Sequence, residues 1–184
     1  MLLKEKIIIL KNGKEGILKS PQAEDAENLL NFIIKACGET EFLLRYPEEY
    51  NISVEQEEGW INGNLSSPND LAITCFVDGA VAGNCGIHFK SDKKVSHLAT
   101  VDIAILKEFW GLGIGSAMFE ELISSARANG TEIIEIEFIE GNEREKRLYE
   151  KFGFRVVSER PNVIKLKDGA YLKILYMQKY LKQC

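Results

Sequence analysis

No stretch of this chain is apolar for anything near the ~20 residues a helix needs to cross a bilayer, so a helical membrane protein is not expected. The first ten residues carry a short apolar run without a small-residue cleavage site and read as a strand, not a signal peptide. The four cysteines, Cys37, Cys75, Cys85 and Cys184, form no C-x-x-C pair and have no neighbouring histidine. That argues against a metal site and for free thiols in a reducing cytoplasm. An excess of positive charge is missing too. With 23 Lys and Arg against 28 Asp and Glu, the net charge of −5 lacks the basic face of a general nucleic-acid binder. There are no repeats or low-complexity tracts, and 184 residues suit one well-filled domain, residues 1–184, better than two.

The most informative stretch runs from Glu108 to Met118 and holds Gly111, Gly113 and Gly115 at every second position. A β-rich segment, Val101-Asp102-Ile103-Ala104-Ile105-Leu106, precedes it. After it, Met118, Phe119, Leu122, Ile123 and Ala126 recur at helical spacing, and Asn129-Gly130 ends the pattern. A strand passing through glycines into a helix N-terminus can cradle an anion, because the backbone comes close and free amides point at it. The same pattern also suits a tight turn that simply requires glycine. Counting from Gly111, the dinucleotide fingerprint meets Ser116 where its third glycine belongs, and no Gly-Lys-Ser/Thr follows the turn. Nicotinamide and nucleoside-triphosphate chemistry therefore both lose ground.

Strands are expected at residues 5–10 and 16–19. Ser20-Pro21 opens a helix with Leu29, Leu30, Phe32, Ile33 and Ala36 inward and Gly38 as its stop. Ser53-Val54-Glu55-Gln56 is a capping box that opens a second helix. Residues 71–77 and 80–89 form a hairpin across Asp78-Gly79. A strand over 95–106, the glycine turn and helix, a strand over 133–138, a helix over 142–152 and two final strands ending near Tyr180 complete the order. Helices alternate with strands late and precede a meander early, so the fold class is α/β with a mixed sheet.

The strand Glu132-Ile133-Ile134-Glu135-Ile136-Glu137-Phe138 leads into Asn142, Leu148-Tyr149 and Gly153-Phe154. Here the chain resembles the GNAT superfamily of acyl-CoA-dependent N-acyltransferases. The family's phosphate turn, Gln/Arg-x-x-Gly-x-Gly/Ala, matches Trp110-Gly111-Leu112-Gly113-Ile114-Gly115 except at Trp110, and its second signature maps onto Asn142, Leu148-Tyr149 and Gly153-Phe154. His97-Leu98-Ala99, Asp168-Gly169-Ala170-Tyr171 and Met177 are more loosely similar to the branch with ribosomal-protein alanine and polyamine acetyltransferases.

The resemblance implies a central, mostly antiparallel mixed sheet flanked by helices, and acetyl-CoA as acyl donor. The backbone of Gly111, Leu112, Gly113, Ile114, Gly115 and Ser116, entered through Trp110, is then the pyrophosphate anchor, and Ile103, Ile105 and Leu106 lie along the pantetheine arm. Tyr149 is the candidate general acid: a phenol of reference pKa ~10 can protonate a leaving thiolate of pKa ~8.5. Asn142 reads as a helix N-cap with Glu145 reciprocating, and as a contact to the cofactor. Relatives often carry a Glu on the strand before the turn. Here Thr100 stands near that position and Asp102 follows, leaving the base as Asp102, His97 or a relaying water. Glu145-Lys146 departs from the Ala and aliphatic residue usual in relatives. Acceptor specificity is expected from residues 39–69 and a late loop over 161–169, with Tyr46, Glu48, Glu49, Tyr50 and Trp60 forming either an aromatic-acidic cation pocket or a solvated loop. The acidic net charge favours a small-molecule amine. A protein N-terminus, a non-catalytic acyl-CoA-binding role and a homodimer stay open.

Overall fold

In the computed structural model, which describes residues 1–181, eight strands form one sheet. They are β1 (Lys6–Ile9), β2 (Glu15–Lys19), β3 (Asp70–Val77), β4 (Ala80–Phe89), β5 (Leu98–Ile105), β6 (Ile133–Ile139), β7 (Arg155–Lys165) and β8 (Tyr171–Tyr180). The spatial order is β1-β2-β3-β4-β5-β6-β8-β7, and only β5 and β6 pair in parallel. The helices are α1 (Ala26–Glu39), α2 (Val54–Ser66), α3 (Ile114–Ala128) and α4 (Glu143–Lys151). Cys184 lies outside the described residues. Cys37, Cys75 and Cys85 are free and buried.

Alternation along the strands sorts the core into two layers. Ile73, Ile87, Val101 and Ile134 pack with Met118, Phe119 and Leu122 of α3. On the opposite face Phe76, Val81 and Leu106 pack with Leu29 and Phe32 of α1 and Ile61 of α2. The β3–β4 turn needs two left-handed residues, and Asp78 (φ 51°) and Gly79 (φ 82°) supply them.

One pairing creates the site. β5 and β6 are in register only over Leu98↔Ile133, Ala99↔Ile134 and Thr100↔Glu135. Beyond Thr100, β5 continues against β4 alone and β6 against β8 alone. The two parallel strands therefore diverge, and a groove opens between their C-terminal halves.

Three local expectations need correction. The first helix begins at Ala26, after a 3-10 turn over Ala23–Asp25, not at Ser20-Pro21. Ser20 is occupied elsewhere: its hydroxyl accepts from Leu3 N–H at 3.0 Å and donates to the Ala72 carbonyl at 2.9 Å. Gly38 does not stop the helix, which continues through Glu39. Pro161 lies inside β7, not in a loop. A proline is tolerated there because β7 is the sheet edge and its register breaks between Arg160 and Ile164, with Asn162 at φ 56°.

Candidate active site

The groove opened by the splayed strands has a volume of about 680 Å³ and runs from α1 across β5 to the facing ends of α3 and α4. At its centre, Gly113 is the N-cap of α3 with φ 102°, and Gly111 has φ 77°. A side chain at either would meet nothing within 4 Å, so these glycines serve backbone conformation and leave the groove clear. The first bond of the helix runs from Ala117 N–H to the Gly113 carbonyl at 3.1 Å. That leaves the amides of Ile114, Gly115 and Ser116 without an acceptor inside the helix, at the positive end of its dipole. Gly115 has a different task. A Cβ there would lie 2.9 Å from Leu148 Cδ2 and 3.2 Å from Ile105 Cδ1, so its bare backbone lets α3 approach α4 closely.

Lys11, Arg144, Arg147 and Lys151 line the same groove, and Lys151 donates to Ser116 Oγ at 2.8 Å. The sequence reading missed this basic set. Its signal was present, since 144, 147 and 151 follow helical spacing on one face of α4. Trp110, 37% exposed, stacks its indole against the Arg144 guanidinium, 3.6 Å from the ring centre, and donates Nε1–H to the Ile105 carbonyl at 2.6 Å. The positive charge that a Gln/Arg-type turn would carry at position 110 is thus delivered from α4. Burial lowers the Arg144 pKa to about 10, so it stays charged at neutral pH.

Ile103, Ile105, Trp110, Gly111, Gly113, Ile114, Gly115, Ser116 and Asn142 all line this groove. Leu106 and Leu112 do not. Leu106 is buried against α1 and Leu112 packs on the α3 core, its carbonyl accepting from Lys11 N–H at 3.1 Å. Asn142 caps α4: its Oδ1 accepts from Glu145 N–H at 3.3 Å, and its Nδ2 donates to Glu145 Oε2 at 2.6 Å.

Tyr149 is 1% exposed, within an aromatic cluster of Phe119, Phe138 and Phe154. Its ring does not line the groove. Its hydroxyl engages the carboxylate of Glu145, one helical turn back, and Glu145 does line the groove. Burial raises the phenol pKa well above its ordinary value, with Glu145 and Asp102 adding to the rise. Burial also pushes the Glu145 carboxyl up to about 7, against opposing effects of Tyr149 and Arg144.

Asp102 faces away from α3, into a second groove of about 470 Å³ between α2 and strands β3 to β5. Trp60, Asn84, Cys85 and the Asp70–His88 pair line it as well. The Asp102 carboxylate leans over Gly86, with Oδ2 3.0 Å from where a Cβ would stand. Although open to the groove, it has protein on most sides, and that desolvation raises its pKa. His97 lines neither groove and works through its carbonyl, which accepts from Glu132 N–H at 2.9 Å where β5 meets β6.

Of the aromatic-acidic segment, only Trp60, 46% exposed, reaches this second groove. Tyr46 and Glu48 are engaged by the chain's own Lys167: its ammonium lies 4.0 Å from the Tyr46 ring centre and pairs with Glu48, and its backbone N–H donates to Tyr46 Oη at 3.2 Å. The two segments expected to frame an acceptor are tied together. Among the described residues, no group of His, Cys, Asp or Glu is placed to hold a metal ion, and no helix is long and apolar enough to cross a membrane.

The long groove, with free amides at one helix end and four basic side chains around it, fits a phosphate-bearing extended ligand such as acetyl-CoA. Residues 38–154 match the model of the acetyltransferase (GNAT) family. Among solved structures, an acetyltransferase of the GNAT family from Streptococcus pneumoniae is 26% identical, with a TM-score of 0.84 over 90% of this chain and 99% of that one. yncA from Salmonella typhimurium, whose structure holds its cofactor acetyl-CoA, is 18% identical, with a TM-score of 0.77 over 91% and 94%. The ribosomal-protein-alanine N-acetyltransferase from Brucella melitensis is 22% identical, with a TM-score of 0.77 over 89% and 99%. No curated protein matches the chain at a significant level. With the family model covering more than half of its length and the splayed sheet beneath it, this chain belongs to the GNAT family and is an acetyltransferase that uses acetyl-CoA.

Proposed function

We propose that the chain transfers an acetyl group from acetyl-CoA directly to the primary amine of a small cationic molecule, with both substrates bound at once. The observation that carries this reading is the adjacency of the two grooves. Asp102 opens into the smaller one and Ile103, the next residue of β5, lines the larger one. A thioester running along β5 and an amine beside Asp102 would thus meet across a single strand.

In this reading the amides of residues 114–116 hold the pyrophosphate, Arg144, Arg147 and Lys151 balance its charge, and Ile103 and Ile105 flank the pantetheine arm. Acetyl-CoA supplies the activated acyl group. Asp102 takes the ammonium proton, a task helped by its raised pKa. Trp60 offers an aromatic wall to a cation. Tyr149 gives the proton to the leaving sulfur.

The tie from Lys167 to Tyr46 and Glu48 supports a small acceptor over a peptide, because a peptide needs an open path between those segments. Thiol release from acetyl-CoA, followed with amines, polyamines and short peptides at matched concentrations, tests this reading. Acetylation of small cationic amines is expected. Acetylation of peptides alone would overturn the acceptor assignment, and no thiol release with any amine would overturn the reading as a whole.

A further inference from the structure

Tyr149, the proton donor in the function proposed above, is sealed in an aromatic cluster, and its hydroxyl bonds to the carboxylate of Glu145, which lines the groove. The position of Glu145 is fixed on one side. Asn142 caps the helix by accepting from the Glu145 amide and donates its own side-chain N–H to Glu145 Oε2 at 2.6 Å. The carbonyl oxygen of a carboxylic acid is the better acceptor, so this contact favours the proton of a neutral Glu145 on Oε1.

We propose that Glu145 is the positioning residue of the acid step and resupplies the proton that Tyr149 gives away. This inference rests on the reading of Tyr149 as the general acid. An ionised Glu145 would accept the phenolic proton and turn it from the groove. A neutral Glu145 donates to the phenolic oxygen and leaves the phenolic proton free for sulfur. The amine nitrogen bonds to the acyl carbon, the C–S bond breaks and its electron pair passes to sulfur; Tyr149 gives its proton to that sulfur and Glu145 gives its own to the phenolic oxygen. The step ends with a free thiol, a neutral tyrosine and an ionised Glu145, which regains a proton from solvent through the groove it lines.

The charged groups that act on this pair are Arg144 on its own helix and Asp102 on β5; Glu143, Arg147 and Lys151 of α4, Glu39 of α1 and Lys11 of the β1–β2 turn line the same groove as Glu145. Burial outweighs the lowering effects of Arg144 and Tyr149 and keeps Glu145 half-protonated at about pH 7. Turnover limited by chemistry should therefore fall as pH rises through that value.

Two measurements test this, one without substrate. In ¹³C NMR of the ligand-free protein, one glutamate side-chain carboxyl should titrate near pH 7. It should vanish in Glu145→Gln and move to higher pH in Tyr149→Phe, because the phenol hydrogen bond lowers it. No glutamate titrating near 7, or a midpoint unmoved by Tyr149→Phe, overturns the inference whatever the turnover assay gives. In that assay the wild type should lose kcat with a midpoint near pH 7. Glu145→Gln, which donates a hydrogen bond but no proton, should lose that limb and fall on the order of 10-fold in kcat, short of the ~10²–10⁴-fold typical when a general acid is lost. An unchanged limb in Glu145→Gln overturns the inference. A wild type that releases no thiol with any amine counts against the proposed function, and the NMR result then decides the Glu145–Tyr149 pairing by itself.

Discussion

Keeping a carboxyl group against the Tyr149 cluster should destabilise the protein in a pH-dependent way, and Glu145→Gln isolates the effect. Burial is the dominant cause, holding the folded-state pKa at about 7 against an ordinary 4.5. Well below pH 4.5 both the folded and unfolded chains hold the proton and the group contributes no difference. Between 4.5 and about 7 the unfolded chain releases its proton while the folded chain keeps it, so stability falls as pH rises, and above about 7 the loss levels off. At ~1.36 kcal/mol per pH unit the full shift corresponds to about 3 kcal/mol. The groove side of Glu145 is partly open to water, and screening there reduces this to about 2 kcal/mol. Glutamine keeps the length and the acceptor for Asn142 and removes the charge. Urea unfolding of Glu145→Gln should match the wild type at pH 4 and exceed it at pH 8 by about 2 kcal/mol, a midpoint shift of about 1 M at an m-value of ~2 kcal/mol/M. Equal stability at pH 8 would show that Glu145 is not held neutral by the fold, and the reasoning would fail.

Tyr149→Phe should lower kcat by ~10²–10⁴-fold and leave acetyl-CoA affinity nearly unchanged, since the ring stays in its cluster; single-turnover kinetics with unchanged rates would remove the phenol from the chemistry. Gly113→Asp and Gly115→Val should separate two roles of the glycine turn. The first adds a charge beside the free amides at a φ of 102° and should abolish acetyl-CoA binding in calorimetry, while the second forces a side chain onto Leu148 and should cost about 1–3 kcal/mol of stability by overpacking. Arg144→Ala removes the cation stacked on Trp110, so the acetyl-CoA Kd should rise about tenfold, roughly 1.4 kcal/mol, and less in high salt.

How much of this was legible in the sequence depended on the range of the interaction. The β3–β4 hairpin, the α2 capping box and the glycine turn are set by residues within a few positions of each other, and their local chemistry specifies them. The start of α1 was misread because Ser20 bonds to Leu3 and Ala72, partners that lie far away in sequence. Pro161 suggested a loop because a proline cannot complete an interior ladder, yet β7 proved to be an edge strand. Asp102 was readable as facing opposite to Val101 and Ile103 by alternation, but the groove it faces is assembled from α2, β3 and β4 through long-range pairing. The contact between Glu145 and Tyr149 lay at a readable spacing of four, while the burial that gives it meaning comes from Phe119 and Phe138 on other elements. The Lys167 tie, spanning 121 positions to Tyr46, has no local signal at all.

Transfer between two grooves that meet across β5 is tested most directly by a crystal structure with CoA and the small cationic amine that gives the fastest thiol release. The predicted result is CoA phosphates on the amides of residues 114–116, its thiol arm along Ile103 and Ile105, and the amine nitrogen within hydrogen-bonding distance (~3 Å) of the Asp102 carboxylate. An amine bound away from Asp102, or a thiol arm that leaves β5 before reaching Ile103, would contradict it.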